Sequence, residues 1–383
     1  VTGTVERGAD RYARARLIEG WDPRRLAGAT AIVAGVGALG NEVAKNLALA
    51  GVGRLVLCDP DTVAVTNLSR TVLFGAGDVG RPKPLAAAVE LARLAPDATI
   101  DTRCHDLTSG VGLGELSDAG VVLGCLDSVH ARMALLGRCA LVDAPLVDGG
   151  TGSWTGEVRL RLHLDEPCFA CTLSAHQRGV SDLPWSCADP PAGPAAASIV
   201  ATSLVAAWMT VAALRILLGT PPEFRLVRID GLAGRAEPIG TTRDPQCPHH
   251  RALPAPESIE VDHRHTVGDL LAALPAGSEP TAWTRFPLPL RCVRCGPYDD
   301  GLSQAQERGR DGVFRCPACG SLIRPRFSER LRDADPALRL CDLGIAPEEI
   351  LTIGLPEGGH QWRRLKLPDR ETRDSMSRTG TSS

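Results

Sequence analysis

Between residues 31 and 152, short apolar runs alternate with longer segments whose apolar positions recur every three to four residues. Ala31–Ala34, Leu55–Cys58, Ile100–Cys104, Val121–Cys125 and Leu141–Val142 are the short runs, the pattern of strands covered on both faces. Asn41–Ala50, Leu85–Leu94 and Ser128–Cys139 carry helical spacing between them. Strand and helix in alternation predict an α/β fold built on a Rossmann-like, doubly wound and mostly parallel sheet. Glu157–Leu164 (EVRLRLHL) alternates apolar and charged residues, which predicts a half-exposed strand, and Arg225–Ile229 reads as one more.

The pattern changes at both ends of this block. Residues 1–29 form an Arg-rich arm, in which Leu17, Ile18 and Trp21 are spaced to dock one helical turn onto a body. Gly179–Pro194 is a Pro-rich connection. Pro194–Leu218 is apolar enough to approach a membrane span, with Arg215 its only charge. Ser198, Thr202, Ser203 and Thr210 interrupt it and no basic flank stands out, so a helix buried in the α/β core is expected and no membrane partner. Prolines cluster at Arg251–Pro256 and set a boundary between a domain at 30–252 and a smaller α+β module at 253–368. In that module Ser258–Val261, Leu351–Ile353 and Trp362–Leu367 read as strands, Val267–Leu274 and Asp342–Glu349 as helices. Residues 369–383 are polar and expected to be a disordered tail.

Composition narrows the function. A chain of 383 residues exceeds one ordinary domain. A hydrophobic fraction of 44% fits a globular protein, and a net charge of −3 gives no general attraction to nucleic acid or anionic membrane. Residues 1–20 lack the apolar core of a secretory signal, so thirteen cysteines point to a reducing compartment, the cytoplasm. Arg greatly outnumbers Lys, and Lys45, Lys83 and Lys366 are the only lysines, so a Lys retained at 83 suggests a need for a compact ammonium there.

The candidate chemistry starts at Gly35-Val-Gly37-Ala-Leu-Gly40, between an apolar strand and an apolar helix. Gly35 and Gly37 let backbone approach a phosphate, Gly40 lets the helix sit close, and the helix N-terminus offers free N–H groups. A second strand ends on Asp59, about 20 residues further on, where an acid can accept both ribose hydroxyls. That unit alone would suit a nicotinamide dehydrogenase. The residues just beyond it, Asp61, Asn67-Leu-Ser-Arg70 and Gly80-Arg-Pro-Lys83, have no use there but suit a site that splits ATP, where preplaced cations stabilise growing phosphate charge.

This run resembles the ThiF/MoeB/HesA family of adenylating enzymes, which includes the ubiquitin-activating enzymes. The resemblance covers about residues 11–250. It implies that Asn67, Arg70 and Lys83 contact the triphosphate, although Thr71 stands where the family usually has Gln. It implies that Asp127, at the end of an apolar strand and followed by Ser128 in place of the usual Asn and by Arg132, holds Mg²⁺ between the phosphates. A helix-capping role is the plainer alternative for Asp127. Arg11-Tyr-Ala-Arg14 matches the arm of homodimeric members, which implies that Arg14 reaches into a partner's site and that the enzyme is a homodimer. Cys168-Phe-Ala-Cys171 and Cys247-Pro-His-His250 stand where the family has its two CxxC pairs, which implies a zinc site with His250 as fourth ligand. Cys187 lies near the position at which some relatives carry the activated acyl group on a thiol, while others need no Cys.

A second zinc site needs no relative. Cys292-Val-Arg-Cys295 and Cys316-Pro-Ala-Cys319 have zinc-ribbon spacing, each pair followed by Gly. Cys58, Cys104, Cys125 and Cys139 lie in apolar segments and read as core. The expected enzyme is an ATP-, Mg²⁺- and Zn²⁺-dependent adenylyltransferase with two zinc per chain. Its implied substrate is the C-terminal carboxylate of a small ubiquitin-like or sulfur-carrier protein, for sulfur transfer or conjugation. The alternatives are a peptide-tailoring adenylase of natural-product biosynthesis, a non-catalytic scaffold and an NAD-dependent dehydrogenase.

Overall fold

The computed structural model describes residues 11–174, 178, 198–289, 291–292, 294–297, 314–316, 318–323 and 326–367. The chain divides into two compact units, Val1–Ala252 and Leu253–Ser383.

The first unit is built on β1 (Thr30–Ala34), β2 (Arg54–Cys58), β3 (Thr99–Arg103), β4 (Val121–Gly124), β5 (Leu146–Thr151), β6 (Thr155–Arg161), β7 (Leu226–Asp230) and β8 (Arg235–Pro238). They make one sheet in the order β3-β2-β1-β4-β5-β6-β7-β8. The first five positions are parallel and the last three join antiparallel. The helices are α1 (Pro23–Ala27), α2 (Ala38–Ala50), α3 (Lys83–Leu94), α4 (Leu107–Gly110), α5 (Leu113–Asp118), α6 (Val129–Leu141) and α7 (Ile199–Leu218). From β1 the chain winds outward to β2 and β3, then returns to β4 on the other side. The loops after β1 and β4 therefore flank one crevice at the carboxyl ends of the strands, the place where such sheets bind ligands. Ile32, Val33, Leu55, Leu57 and Leu123 are fully buried, as a sheet covered on both faces requires.

Two expectations are corrected here. Leu141–Val142 is not a strand: Leu141 is the last residue of α6, and the strand comes later, from Leu146. The apolar face of α6 continues into that pair, and a turn with Asp143 at φ 51 followed by Pro145 separates helix from strand. The arm docks differently as well. Leu17 and Ile18 are 85% and 55% exposed, and only Trp21 of the three packs on the core. The arm is held instead by Tyr12, whose ring lies against Gly51 at the end of α2, and by Arg11, which donates to the Leu94 carbonyl at the end of α3 (2.7 Å).

By length and composition, α7 could cross a membrane. One side of it, with Val205, Met209 and Ala212, is fully buried against α2, β5 and β6, while Val200, Leu204 and Val211 on the other side are exposed.

The second unit contains β9 (Glu257–Ile259), α8 (Val267–Ala272), β10 (Glu279–Leu288), β11 (Arg291–Cys292), β12 (Gly296–Pro297), β13 (Phe314–Arg315), β14 (Leu322–Ile323), β15 (Arg326–Arg330), β16 (Ile350–Gly354) and β17 (His360–Leu365). Its main sheet runs β15-β10-β16-β17-β9 over a core that includes Leu270, Phe286, Leu340 and Leu351. Two small hairpins, β11–β12 and β13–β14, are inserted between the paired strands β10 and β15. The expected helix at Asp342–Glu349 is not formed. A single 3-10 turn, Leu340–Leu343, stops at Gly344 in the left-handed region (φ 78), and Pro347 follows.

Candidate active site and metal centres

The glycine loop closes the carboxyl end of β1. Gly35 has φ 89, and a Cβ there would lie 2.5 Å from the Cys125 carbonyl oxygen, so only glycine lets this loop meet the loop after β4. A Cβ on Gly40 would fall 1.9 Å from the Gly35 carbonyl oxygen, which fixes how closely α2 approaches β1. A Cβ on Gly37 would meet nothing within 4 Å: this residue faces open space at the N-terminus of α2, where an anion is favoured.

Asp59 follows β2 and is buried beside this loop. One carboxylate oxygen accepts from the Val36 N–H (2.7 Å), the other from the Asp61 N–H (2.8 Å). Burial pushes its carboxyl above the usual range, against the opposing pull of Lys83 and these two N–H groups. Lys83 opens α3 and is itself buried; its Nζ lies 2.7 Å from Asp61 Oδ2 and 3.7 Å from Asp59 Oδ1. Asn67 and Arg70 lie on the half-buried loop between these acids and α3. The Asn67 side chain accepts from the Ala64 N–H (2.9 Å), and Arg70 donates to the Thr66 carbonyl (2.6 Å).

Asp127 sits just past β4, exposed, with no hydrogen-bond or ion-pair partner among the described residues. It does not cap α6. Ser128 does, accepting from the Ala131 N–H (3.1 Å), which leaves the Asp127 carboxylate free. The Leu126 side chain lies against the Gly35 position, so this turn borders the glycine loop. Arg132 braces the turn from behind: two of its nitrogens donate to the Leu126 carbonyl (3.1 and 2.8 Å), one to Gly149 O (2.6 Å), and Nη1 pairs with Asp148 (2.7 Å). Burial pushes Asp148 up to about 6 despite that partner.

Four soft donors meet on the same unit. Cys168, Cys171, Cys247 and His250 place their ligand atoms within 4.8 Å of one another. Cys168 Sγ is 3.6 Å from Cys247 Sγ, and Cys171 Sγ is 3.1 Å from His250 Nε2. His250 Nδ1 lies 2.6 Å from the Leu164 carbonyl; donating there leaves Nε2 as the lone-pair atom facing the thiols, the usual support of a metal-bound histidine. His249 instead lies against Gly137 of α6. The donor set and its support fit tetrahedral zinc.

The sequence pattern of the ThiF family matches residues 11–249, more than half of the chain. The chain belongs to the ThiF family. Among its relatives, the molybdopterin-synthase adenylyltransferase of Salmonella typhimurium is 30% identical over 243 residues, covering 62% of this chain and 94% of that protein. The sulfur carrier protein adenylyltransferase of Thermus thermophilus is 32% identical over 249 residues, covering 62% and 89%. The crystal structure of Escherichia coli MccB with MccA-N7isoASN shares the fold, with a TM-score of 0.54 at 19% identity, covering 63% of this chain and 75% of that one.

The ThiF match stops before the second cysteine cluster. There Cys292, Cys295, Cys316 and Cys319 again place their sulfurs within 4.8 Å of one another, Cys292 to Cys319 at 3.6 Å. Each pair sits on one of the two inserted hairpins, and Gly296 (φ 88) and Gly320 (φ 71) make the tight returns behind them. Four thiols on two knuckles suit tetrahedral zinc as well. Cys187 lies outside the described residues. Arg14 is exposed on the arm, which meets the body at the opposite end of α2 from the glycine loop, about 20 Å away for a helix of this length. Burial pushes the thiols of Cys58, Cys125 and Cys139 up, the behaviour of core cysteines. Sequence reasoning missed Asn41 and gave Asp61 no role. The available signals were a polar side chain directly after the third glycine of the loop, on the first turn of the helix, and an acid two residues past Asp59.

Proposed function

We propose that this ThiF-family adenylyltransferase activates the C-terminal carboxylate of a small ubiquitin-like or sulfur-carrier protein. The observation that supports this most is the free carboxylate of Asp127 on a turn bordering an N–H-rich glycine loop, with Asp59 and Lys83 across the same crevice. Asp59 has lone pairs left for ribose hydroxyls. Lys83, Arg70 and Asn67 supply positive charge and donors for the triphosphate. The substrate carboxylate attacks the α-phosphorus, the bond to the bridging β-phosphate oxygen breaks, pyrophosphate leaves with that electron pair, and an acyl-adenylate remains. Mg²⁺ held by Asp127 would neutralise charge that builds on the departing pyrophosphate.

The zinc of Cys168, Cys171, Cys247 and His250 is structural in this reading, since all four positions are protein ligands. We assign the active form as a homodimer in which Arg14 completes the partner's site. The exposed Leu17 and Ile18 on the arm and the exposed face of α7 support that assignment, because apolar surface of this kind is what a second copy would cover. Mixing Arg14→Ala with Lys83→Ala subunits, each inactive alone, should then restore partial activity, since one site of each mixed dimer has both groups. No recovery after proven subunit exchange would refute the shared site. None of the twelve described cysteines is in a disulfide, which fits a reducing compartment such as the cytoplasm.

ATP–pyrophosphate exchange tests the substrate. Exchange is expected with carrier proteins ending in Gly-Gly and not with short peptides; the reverse would make the enzyme a peptide adenylase. Intact mass after a single turnover with ATP and carrier should show a thiol-labile adduct that Cys187→Ala lacks, if Cys187 takes the acyl group. Transfer at the wild-type rate in that variant would leave the adenylate to be captured directly.

A further inference from the structure

Asn41 is completely buried, one residue past Gly40 on the first turn of α2. A buried amide needs partners, and its partners are the glycine loop and the segment that follows Arg70. Its Nδ2 donates to the Val36 carbonyl (2.9 Å) and to the Gly37 carbonyl (3.1 Å). Its Oδ1 accepts from the Leu73 N–H (2.9 Å), three residues beyond Arg70. Asp59 holds the Val36 N–H from the other side.

The direction of these bonds matters. In a trans peptide the carbonyl and the following N–H point opposite ways. Drawing the Val36 and Gly37 carbonyls inward, to Asn41, turns the Gly37 and Ala38 N–H groups outward. Outward is the open space at Gly37, and neither N–H has a hydrogen-bond partner among the described residues. Without the amide, the Val36–Gly37 peptide could rotate and present its carbonyl to the same space, which repels an anion; the Gly37 carbonyl is held as well by the Asn41 backbone N–H (2.9 Å), the first bond of α2. The bond to Leu73 ties the loop so oriented to the segment carrying Asn67 and Arg70.

We infer that Asn41 is the positioning residue of the phosphate cradle: its side chain aims the Gly37 N–H at the triphosphate, beside the Ala38 N–H that the start of α2 already turns outward, and locks the Arg70 loop to them. This rests on the adenylation reading but makes a separate claim. The test compares ATP with adenosine, both by calorimetric titration. Asn41→Asp keeps the size and the bond from Leu73, but as a carboxylate it can donate to neither carbonyl and as a neutral acid to only one. ATP should bind about tenfold more weakly or worse, adenosine as in the wild type, and the KM for ATP should rise by a similar factor with kcat little changed. Asn41→Ser makes the same comparison without adding a negative charge beside the triphosphate and should show the same split; it also serves should the Asp variant fail to fold. Equal losses for ATP and adenosine, or no loss for ATP, would overturn the inference. Wild-type protein that binds no ATP at all would instead overturn the adenylation reading.

Discussion

Asp127→Asn should reduce ATP–pyrophosphate exchange by about a thousandfold, roughly 4 kcal/mol of transition-state stabilisation, while ATP still binds. The asymmetry comes from where the charge is needed. In the proposed site the glycine loop, Asp59 and Lys83 hold the nucleotide in its ground state, and they are untouched by the change. The Asp127 carboxylate is exposed, free of the α6 cap and without a partner among the described residues, so its removal breaks no bond that holds the fold. What it removes is the proposed anionic ligand for Mg²⁺, whose contribution would grow as pyrophosphate departs. Thermal unfolding of the variant should match the wild type. Exchange within about threefold of the wild type would contradict the metal assignment on this scale.

Loss of the zinc proposed at each cluster should affect the two units differently. Cys168→Ser should release one zinc and destabilise the first unit by about 3 kcal/mol or more, because those ligands fasten the chain after β6 to the strap after β8, far along the sequence. Cys292→Ser should release the other zinc and leave the first unit's transition unchanged. The ribbon is an insertion between β10 and β15, and those strands pair with each other directly through Pro287 with Phe327 and Leu288 with Arg326. Elemental analysis should fall from two zinc per chain to one in each variant, and calorimetry should separate the transitions. If Cys292→Ser unfolds both units together, they are not independent.

Much of the fold is local in origin and could be read from the residues. A strand covered on both faces must be apolar throughout, so Thr30–Ala34 and Val121–Gly124 announce themselves, and a glycine loop between strand and helix has few other uses. Cysteines with two residues between them on a knuckle are equally legible, because their spacing is itself the geometry of chelation. Where the reading failed, the reason was a competing local signal. The apolar pair Leu141–Val142 has the content of a strand, but the helical face of α6 claims its first residue. The segment Asp342–Glu349 has helical spacing, but Gly344 favours the left-handed turn that ends it.

The sequence by itself determined the α/β class, the βαβ unit ending on Asp59 and the ribbon spacing, because each depends on neighbours within a few residues or on a single crossover. Other features belong to the tertiary structure alone. Only there does the Leu164 carbonyl hold His250, the ligand expected from the sequence, with Nε2 facing the thiols, while His249 turns to α6. Only there does Ser128 relieve Asp127 of capping, Lys83 pair with Asp61, and Asn41 join Val36 and Gly37 to Leu73. A hydrogen bond constrains direction as well as distance. Directions between atoms far apart in the chain are set by packing, which leaves no periodic trace in the residues that comply with it.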